Sequence, residues 1–321
     1  MTTLRVASQL PEPINAEVLR QVSASAGDGS VELITLPRGV PADWPREADV
    51  FVAAPFRRAG GDLPVQPLGW PFNLRWVQLI SVGIDFYPEW LFDGPVVTAA
   101  KRSSATALAE FSLAAIFAAA KRFPDIWIRN AAAWQPTPLG LVDGATLGIV
   151  GFGGIGQALA PRAQALGMKV LATRRGPGDL GVPGVERVDG VADLFARADH
   201  VVLAAPATAE THHLVNRAVL AGAKPGLHLV NVARGILIDD AALLDALADG
   251  RVSLATLDVT HPEPLPDGHP FYSHPRVRLS PHTSVFTPDT HANLAAKLAG
   301  NLIRFHKGEP LEDVVDLARG Y

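Results

Sequence analysis

The sequence contains no cysteine. That absence removes disulfide bridges, thiolate metal sites and cysteine nucleophiles together. It fits a reducing compartment, so a cytoplasmic location is expected. A charge excess is missing as well: 28 Lys and Arg stand against 32 Asp and Glu, for a formal net charge of −4 and a pI near 6.2. This balance gives neither nucleic acid nor an anionic membrane an electrostatic footprint. Long hydrophobic runs are lacking. The most apolar segment, Ala105 to Ala120, contains Glu110 and Ser112 and is shorter than the ~20 residues a membrane helix needs. The start, MTTLRVASQLPEPI, has no basic stretch followed by an apolar block, so no signal peptide is expected. Solenoid repeats and low-complexity tracts are absent from the sequence. What remains is 321 residues, 48% of them hydrophobic. Such a chain buries a large core, and a soluble protein of two domains is expected.

The most informative stretch runs from Thr146 to Arg175, TLGIVGFGGIGQALAPRAQALGMKVLATRR. Leu147 to Val150 is a short apolar run suited to a buried parallel strand. GFGGIG follows it directly and places Gly151, Gly153 and Gly156 in the G-x-G-x-x-G spacing. The first glycine permits the turn, the second lets a pyrophosphate approach the backbone, and the third lets the helix pack on the strand. Ile155, Ala158, Leu159, Ala163 and Leu166 share one helical face, and Gly167 closes the helix. Lys169 to Ala172 is the next strand. A dinucleotide site is expected here, with Phe152, Gly154 and Ile155 among its residues. NAD-binding units carry an acidic residue after the second strand to hold the ribose hydroxyls. This chain has Thr173, Arg174 and Arg175 there, and no acidic residue between Lys169 and Gly178. Guanidinium groups pair with a ribose 2′-phosphate that a carboxylate would repel. NADP is therefore the expected cofactor, with NAD as the alternative.

Taken in order, Leu4–Ala7 reads as a first strand and Ile14–Ala26 as a helix closed by Gly27. Further strands are expected at Glu32–Leu36, Val50–Ala54, Trp76–Ile80 and Val96–Thr98. Proline- and glycine-rich stretches separate them, notably PRGVPADWP and the loop from Gly60 to Pro71. The alternation points to a small α/β unit with a parallel sheet. A helix over residues 105–122 follows, with Leu108, Phe111, Ala115 and Ala119 on one stripe. Ile126 to Trp134 then places tryptophans at 127 and 134, suited to an interface. After the glycine turn, strands are expected at His200–Ala204, Leu227–Asn231, Ser253–Asp258 and Val277–Leu279. Asp239 caps a helix that ends before Gly250. A last helix from near Pro288 to Gly308 has no strand after it.

Ligands of open α/β sheets bind beyond the carboxyl ends of their strands. Three such ends carry reactive groups. NVARG brings Arg234, LDVTHPEP brings Asp258 and Glu263, and LSPHTS brings His282. An arginine forks onto a keto acid's carboxylate, and a carboxylate favours the protonated form of an imidazole. The histidine then donates a proton. A metal hydrolase is the competing use of His261, Glu263, His269, His274 and His282. Their spacings match no helical zinc motif, so no metal is expected.

The order of these motifs resembles the D-isomer-specific 2-hydroxyacid dehydrogenase family, in particular its glyoxylate/hydroxypyruvate reductase-like members. SVGID at Ser81–Asp85, LAEFSLA at Leu108–Ala114, GFGGIG, PATAETHHLVN at Pro206–Asn216, NVARG, LDVTHPEPLP and SPHTS carry the resemblance over nearly the whole chain. It implies an α/β fold with a Rossmann dinucleotide-binding domain, residues 101–284, inserted in a flavodoxin-like substrate domain, residues 1–100 and 285–321. Arg234 then corresponds to the substrate-orienting arginine, His282 to the general acid/base and Glu263 to its carboxylate partner. Asp258 corresponds to the aspartate that helps orient the nicotinamide. Val82 and Gly83 fall in the loop whose amides hold the substrate carboxylate. Ala205, Pro206, Thr211, Val232 and Ala233 flank the cofactor.

One departure is KRSS at Lys101–Ser104, where many members have a proline- or glycine-containing stretch. Members acting on formate carry glutamine where this chain has Glu263, which argues against that activity. The implied reaction is reduction of a small 2-keto acid by hydride transfer from NADPH. The implied assembly is a homodimer through the dinucleotide-binding domain, without nucleic acid or membrane partners. The family also includes co-repressors that keep the fold and sense dinucleotides, and these stand as the alternative.

Overall fold

The computed structural model describes residues 3–41, 43–56 and 63–320. In chain order, the first elements are β1 (Leu4–Ser8), α1 (Glu12–Ala26), β2 (Val31–Thr35), β3 (Val50–Ala53), β4 (Trp76–Leu79), β5 (Val96–Thr98) and α2 (Ala105–Ala120). Then come β6 (Thr146–Val150), α3 (Gly154–Ala165), β7 (Lys169–Thr173), β8 (Val185–Arg187), α4 (Val191–Arg197) and β9 (His200–Leu203). The chain continues through α5 (Arg217–Ala221), β10 (Leu227–Asn231), α6 (Asp240–Ala248) and β11 (Val252–Leu257). It ends with α7 (Pro270–Ser273), β12 (Val277–Leu279) and α8 (Pro288–Lys307). Two compact units result. One holds the residues up to Ser104 together with those from Phe286 on, and the other holds Ala105–Val285.

The first unit is a parallel sheet in the order β2-β1-β3-β4-β5, the flavodoxin-like winding. Strand residues alternate between its two faces. Val6, Val50, Val52 and Trp76 pack with Ile14, Val18 and Val22 of α1 and with Leu294, Leu298 and Leu302 of α8. The i, i+4, i+8 spacing of those three leucines puts them on one stripe of α8, and each buried leucine contributes about 1.5–3 kcal/mol. Thr287 caps α8 by accepting a hydrogen bond from the Thr290 amide, and Gly308 ends it in the left-handed conformation, φ +71°. The last helix thus closes the first sheet although the second unit's sequence intervenes.

The other face departs from strict alternation. Among the described residues, no helix joins β2 to β3 or β3 to β4. Trp44 instead lies 5.6 to 6.3 Å, centroid to centroid, from Phe51, Phe56, Trp70, Phe72 and Trp90. Closely spaced prolines in both connections disfavour helix, and aromatic area covers the sheet in its place. Ala42 of PRGVPADWP and residues 60–62 of the second loop lie outside the described residues.

The second unit is a parallel sheet in the order β12-β11-β10-β9-β6-β7-β8. The winding reverses between β6 and β9, as in a Rossmann sheet. α2 and α3 cover one face, and α4, α5 and α6 the other. Two expected faces shift. In α2 the buried positions are Ala105, Leu108, Ala109, Ser112, Ala115 and Ile116, while Phe111 and Ala119 are half-buried. The helix is apolar on nearly every side, so periodicity alone does not single out its inner face. Leu166 is exposed because α3 ends at Ala165, one residue before the side chain could join the buried stripe. Among the described residues no helix is long and apolar enough to cross a membrane.

Candidate active site

The glycine turn sits where the winding of the second sheet reverses. Gly151 has φ +93°, and a Cβ there would lie 2.7 Å from Cα and N of Ala205, at the end of β9. Only glycine allows the two strand ends to approach this closely. A Cβ on Gly156 would meet the buried Phe152 ring at 2.9 Å, whereas one on Gly153 would meet nothing within 4 Å. The turn is therefore tight where it crosses the neighbouring strand and beneath α3, and open at its middle. α3 begins at Gly154 with no side-chain cap, and the amide of Gln157 is already bonded to Gly153 O at 2.9 Å. The amides of Gly154, Ile155 and Gly156 precede that first helical bond and form the positive end of α3, which suits a pyrophosphate. The residues present fit a dinucleotide.

Around the turn, Ala205, Val232 and Ala233 are buried and Pro206 is exposed. Thr211 Oγ1 donates to Pro206 O at 2.7 Å and accepts from the Thr208 amide at 2.8 Å, closing the 206–211 loop on itself. Arg174 and Arg175 are exposed just beyond β7. Arg174 Nη1 donates to Asp179 O at 3.4 Å, and Arg175 Nη1 lies 3.2 Å from Glu210 Oε2. The sequence reading found no acidic group near these arginines along the strand. Glu210 reaches Arg175 from a different loop.

β10, β11 and β12 are parallel neighbours, and the three reactive groups rise from their carboxyl ends. Asn231, fully buried, pins the first loop. Its Nδ2 donates to Arg234 O at 2.8 Å and its Oδ1 accepts from the Ala233 amide at 3.0 Å. Arg234 is half-buried, with Nη1 donating to Ala233 O at 2.7 Å. Gly235 then runs against the second loop, so close that a Cβ would lie 2.0 Å from the Thr260 carbonyl carbon.

Glu263, on that second loop, has both oxygens engaged. Oε1 accepts from the Thr260 amide at 3.1 Å, and Oε2 lies 2.9 Å from His282 Nδ1. Both side chains are about 70% buried, which strengthens a charged hydrogen bond relative to one in water. His282 has φ +50°, a conformation that costs a non-glycine residue energy and clusters at functional sites. Asp258 holds it there. Its backbone O accepts from the His282 amide at 2.8 Å. Its carboxylate, 1% exposed, accepts from Ser280 Oγ, the Thr283 amide, the Ser284 amide and Ser284 Oγ.

The structure thus brings His282 and Glu263 into contact and makes Asp258 the buried support of the SPHTS loop. Val82 and Gly83 belong to the first unit, in a loop that leaves the carboxyl end of β4. Ser81 Oγ there lies 2.8 Å from Gly83 O and 3.1 Å from Tyr87 OH, which itself lies 3.1 Å from Ala53 O. Burial pushes the Tyr87 phenol well above its usual range, so it stays a neutral donor. Sequence reasoning missed the supporting residues Asn231, Glu210 and Arg187. Glu210 bonds to Arg175 and Arg187 to carbonyls of the 174–178 loop, partners farther along the chain, whereas Asn231 bonds within its own loop and is marked by its burial where β10 ends rather than by a sequence pattern.

The family model described as D-isomer specific 2-hydroxyacid dehydrogenase, NAD binding domain, matches residues 113–284. Glyoxylate/hydroxypyruvate reductase A of Serratia proteamaculans is 32% identical over 261 residues, 78% of this chain and 82% of that protein. Glyoxylate reductase of Thermococcus litoralis is 33% identical over 288 residues, 85% of each chain. Among solved structures, a D-isomer-specific 2-hydroxyacid dehydrogenase from Xanthobacter autotrophicus Py2, in complex with NADPH and MES, superposes with a TM-score of 0.78. That match has 25% identity and covers all of both chains. The chain belongs to the D-isomer-specific 2-hydroxyacid dehydrogenase family and is an NAD(P)-dependent oxidoreductase acting on 2-hydroxy or 2-keto acids.

Proposed function

We propose that this enzyme reduces a small 2-keto acid of the glyoxylate/hydroxypyruvate type to the 2-hydroxy acid, using NADPH in preference to NADH. The observation that carries the reading is the His282–Glu263 pair, 2.9 Å apart at the end of the sheet that carries the glycine turn. When bound, the reduced nicotinamide supplies the hydride. The protein's own residues do the rest. His282 protonates the oxygen that becomes the hydroxyl; since Glu263 takes Nδ1, the proton passes through Nε2. Glu263, bonded at Nδ1, fixes the orientation of the imidazole. Arg234 grips the keto acid's carboxylate and polarises its carbonyl, an interaction that strengthens as charge develops on that oxygen. In the oxidative direction, neutral His282 serves as the base. Amides at Val82 and Gly83 are assigned to the substrate carboxylate, and Asp258 to the nicotinamide end of the cofactor.

Gly151 through Gly156 are assigned to the pyrophosphate. Arg174 and Arg175 are assigned to a ribose 2′-phosphate, which the NADPH bound by the Xanthobacter neighbour supports. A homodimer through the nucleotide-binding unit is part of the reading. It is supported by Phe123, Trp127, Ile128, Trp134, Leu139 and Leu141, all exposed along one segment after α2. Exposed apolar side chains in such a run mark interaction surfaces. A cytoplasmic location accords with the cysteine-free sequence.

The test is a steady-state panel of 2-keto acids against NADPH and NADH. Turnover of glyoxylate or hydroxypyruvate is expected, with kcat/KM favouring NADPH on the order of 10- to 1000-fold at low salt and less at high salt. Tight dinucleotide binding without turnover of any keto acid would instead identify a dinucleotide-sensing interaction protein.

A further inference from the structure

The loop that carries Arg174 and Arg175 is built in an unusual way. β7 ends at Thr173 and is followed by Arg174-Arg175-Gly176-Pro177-Gly178-Asp179. Gly176 and Gly178 have φ +83° and +109°, a conformation in which only glycine is at ease. A Gly-Pro-Gly segment leaving a strand has many conformations of similar energy, so something must select one. β8 runs beside β7, with Arg187 in register with Ala172, two residues before Arg174. From that position the Arg187 guanidinium reaches into the loop. Nη1 donates to Gly178 O at 2.7 Å, and Nη2 donates to Gly176 O at 2.5 Å and Arg174 O at 3.2 Å. Three carbonyls from alternate residues converge on one cation. Without it, their dipoles would repel one another and the loop would open.

Arg174 is held much more lightly. Arg174 makes a long contact to Asp179 O, 3.4 Å. Arg175 pairs with Glu210 at 3.2 Å, and both of those side chains are about half exposed or more. Exposed pairs of this kind fix little. Where the Arg174 guanidinium stands is therefore set by the backbone beneath it, Arg175 leaves that same backbone, and the backbone is set by Arg187.

We infer that Arg187 is the positioning residue for recognition of the cofactor's 2′-phosphate monoester. It acts through the 174–178 loop, which it shapes so that Arg174 and Arg175 converge on the dianion. The inference rests on the NADPH reading above. Charge alone does not perform this task. A lysine keeps the charge but lacks the planar fork that serves three carbonyls at once.

The test is titration of the intact protein with NADPH and with NADH, followed by nicotinamide fluorescence at low salt without keto acid. The variants are Arg187→Ala, Arg187→Lys and, for reference, Arg174→Ala. Both Arg187 variants are expected to weaken NADPH binding by about tenfold, the scale of one charge-assisted contact, and to leave NADH binding within twofold. The unchanged NADH affinity also reports that the unit is folded. A parent that prefers NADPH, with Arg187 variants that retain the full preference, overturns the role of Arg187 alone. Equal loss for NADPH and NADH also overturns it, since Arg187 would then support the unit rather than the phosphate. Lysine behaving like the parent would reduce its role to charge and overturn the positioning argument. A parent without any preference overturns the NADPH reading itself, and the role of Arg187 with it.

Discussion

Gly235→Ala tests whether the loops bearing Arg234 and Glu263 form one mechanical unit. The added methyl would lie 2.0 Å from the Thr260 carbonyl carbon, 2.3 Å from its oxygen and 2.4 Å from the His261 nitrogen. Real contacts of a Cβ essentially never fall below 3.0 Å, so one backbone must retreat by about 1 Å. Neither loop can do so harmlessly. The Thr260 amide is bonded to Glu263 Oε1, and the other oxygen of that carboxylate holds His282 Nδ1. On the opposite side, Asn231 ties Arg234 O to the end of β10. Misplacement of reacting groups by ~1 Å costs on the order of 100-fold in rate. We therefore expect kcat/KM for glyoxylate to fall about 100-fold, most of it in kcat. Dinucleotide affinity should fall much less than kcat, because the pyrophosphate cradle of β6 and α3 lies outside both loops, although Val232 and Ala233 precede Arg234. Overpacking of this kind costs about 1–3 kcal/mol, or several degrees in Tm. The assays are steady-state kinetics, dinucleotide titration and a thermal melt on the same preparation. Activity within a few-fold of the parent at unchanged Tm would refute the coupling of the two loops.

His282→Ala should lower kcat by at least ~100-fold, the low end for a positioned general acid, with little change in cofactor affinity; activity within a few-fold of the parent would remove His282 from the reaction. Arg234→Lys keeps the charge and loses the fork, so KM should rise and kcat fall together. A change confined to the cofactor's KM would move Arg234 into the dinucleotide site. Arg174→Asp should erode or reverse the preference for NADPH through the cofactor's KM, and a ratio equal to the parent's would mean that Arg174 faces only solvent. Stability should also fall in acid. Burial holds the His228 imidazole down at about 3 against an ordinary 6.5, so the unfolded chain takes up the proton first. Stability is complete above about pH 6.5 and is lost progressively as the pH falls toward 3, with about 2 kcal/mol gone at pH 5. Urea unfolding at pH 7 and pH 5 measures it, His228→Gln should flatten the dependence, and an equally steep fall in that variant would refute the assignment.

The parts that could be read from the sequence are those whose reason is local. GFGGIG was legible because each glycine answers a separate steric demand, and the structure displays these as two collisions and one open space. Asp239 and Gly308 were legible as helix ends for the same kind of reason. β8 escaped notice because Val185–Arg187 is three half-buried to exposed residues, held by pairing with β7 rather than by its own pattern. α4 and α5, seven and five residues long, are too short for periodicity to stand out. The aromatic cover of the first sheet was hidden in segments whose prolines mark them only as loops. At the candidate site, His282, Glu263 and Arg234 lie at strand ends, where α/β chemistry is expected. Arg187 takes its role from carbonyls that the pairing of β7 and β8 brings near, and Asn231 from its burial where β10 ends.

The supports of the site have a common logic. β10, β11 and β12 are in register, Asn231 beside Leu257 and Leu257 beside Leu279, so the roots of the three loops stand in a row at the ~4.8 Å strand spacing. Their bonding runs one residue past the strands: the Asp258 amide donates to Asn231 O and the Ser280 amide to Leu257 O, each at 3.0 Å. Just where the ladder stops, a buried polar side chain takes over. Asn231 secures the Arg234 loop, and Asp258 secures the His282 loop. A buried carboxylate is costly unless its acceptor sites are filled, and the four donors on Asp258 match the roughly four lone-pair sites it offers. A direct bond from Asp258 to a nicotinamide amide would have to displace one of those donors. The same displacement would loosen the loop that holds His282 at positive φ. A cofactor contact at Asp258 would therefore be coupled to acid placement through one carboxylate, whose hydrogen bonds sustain the strain at His282.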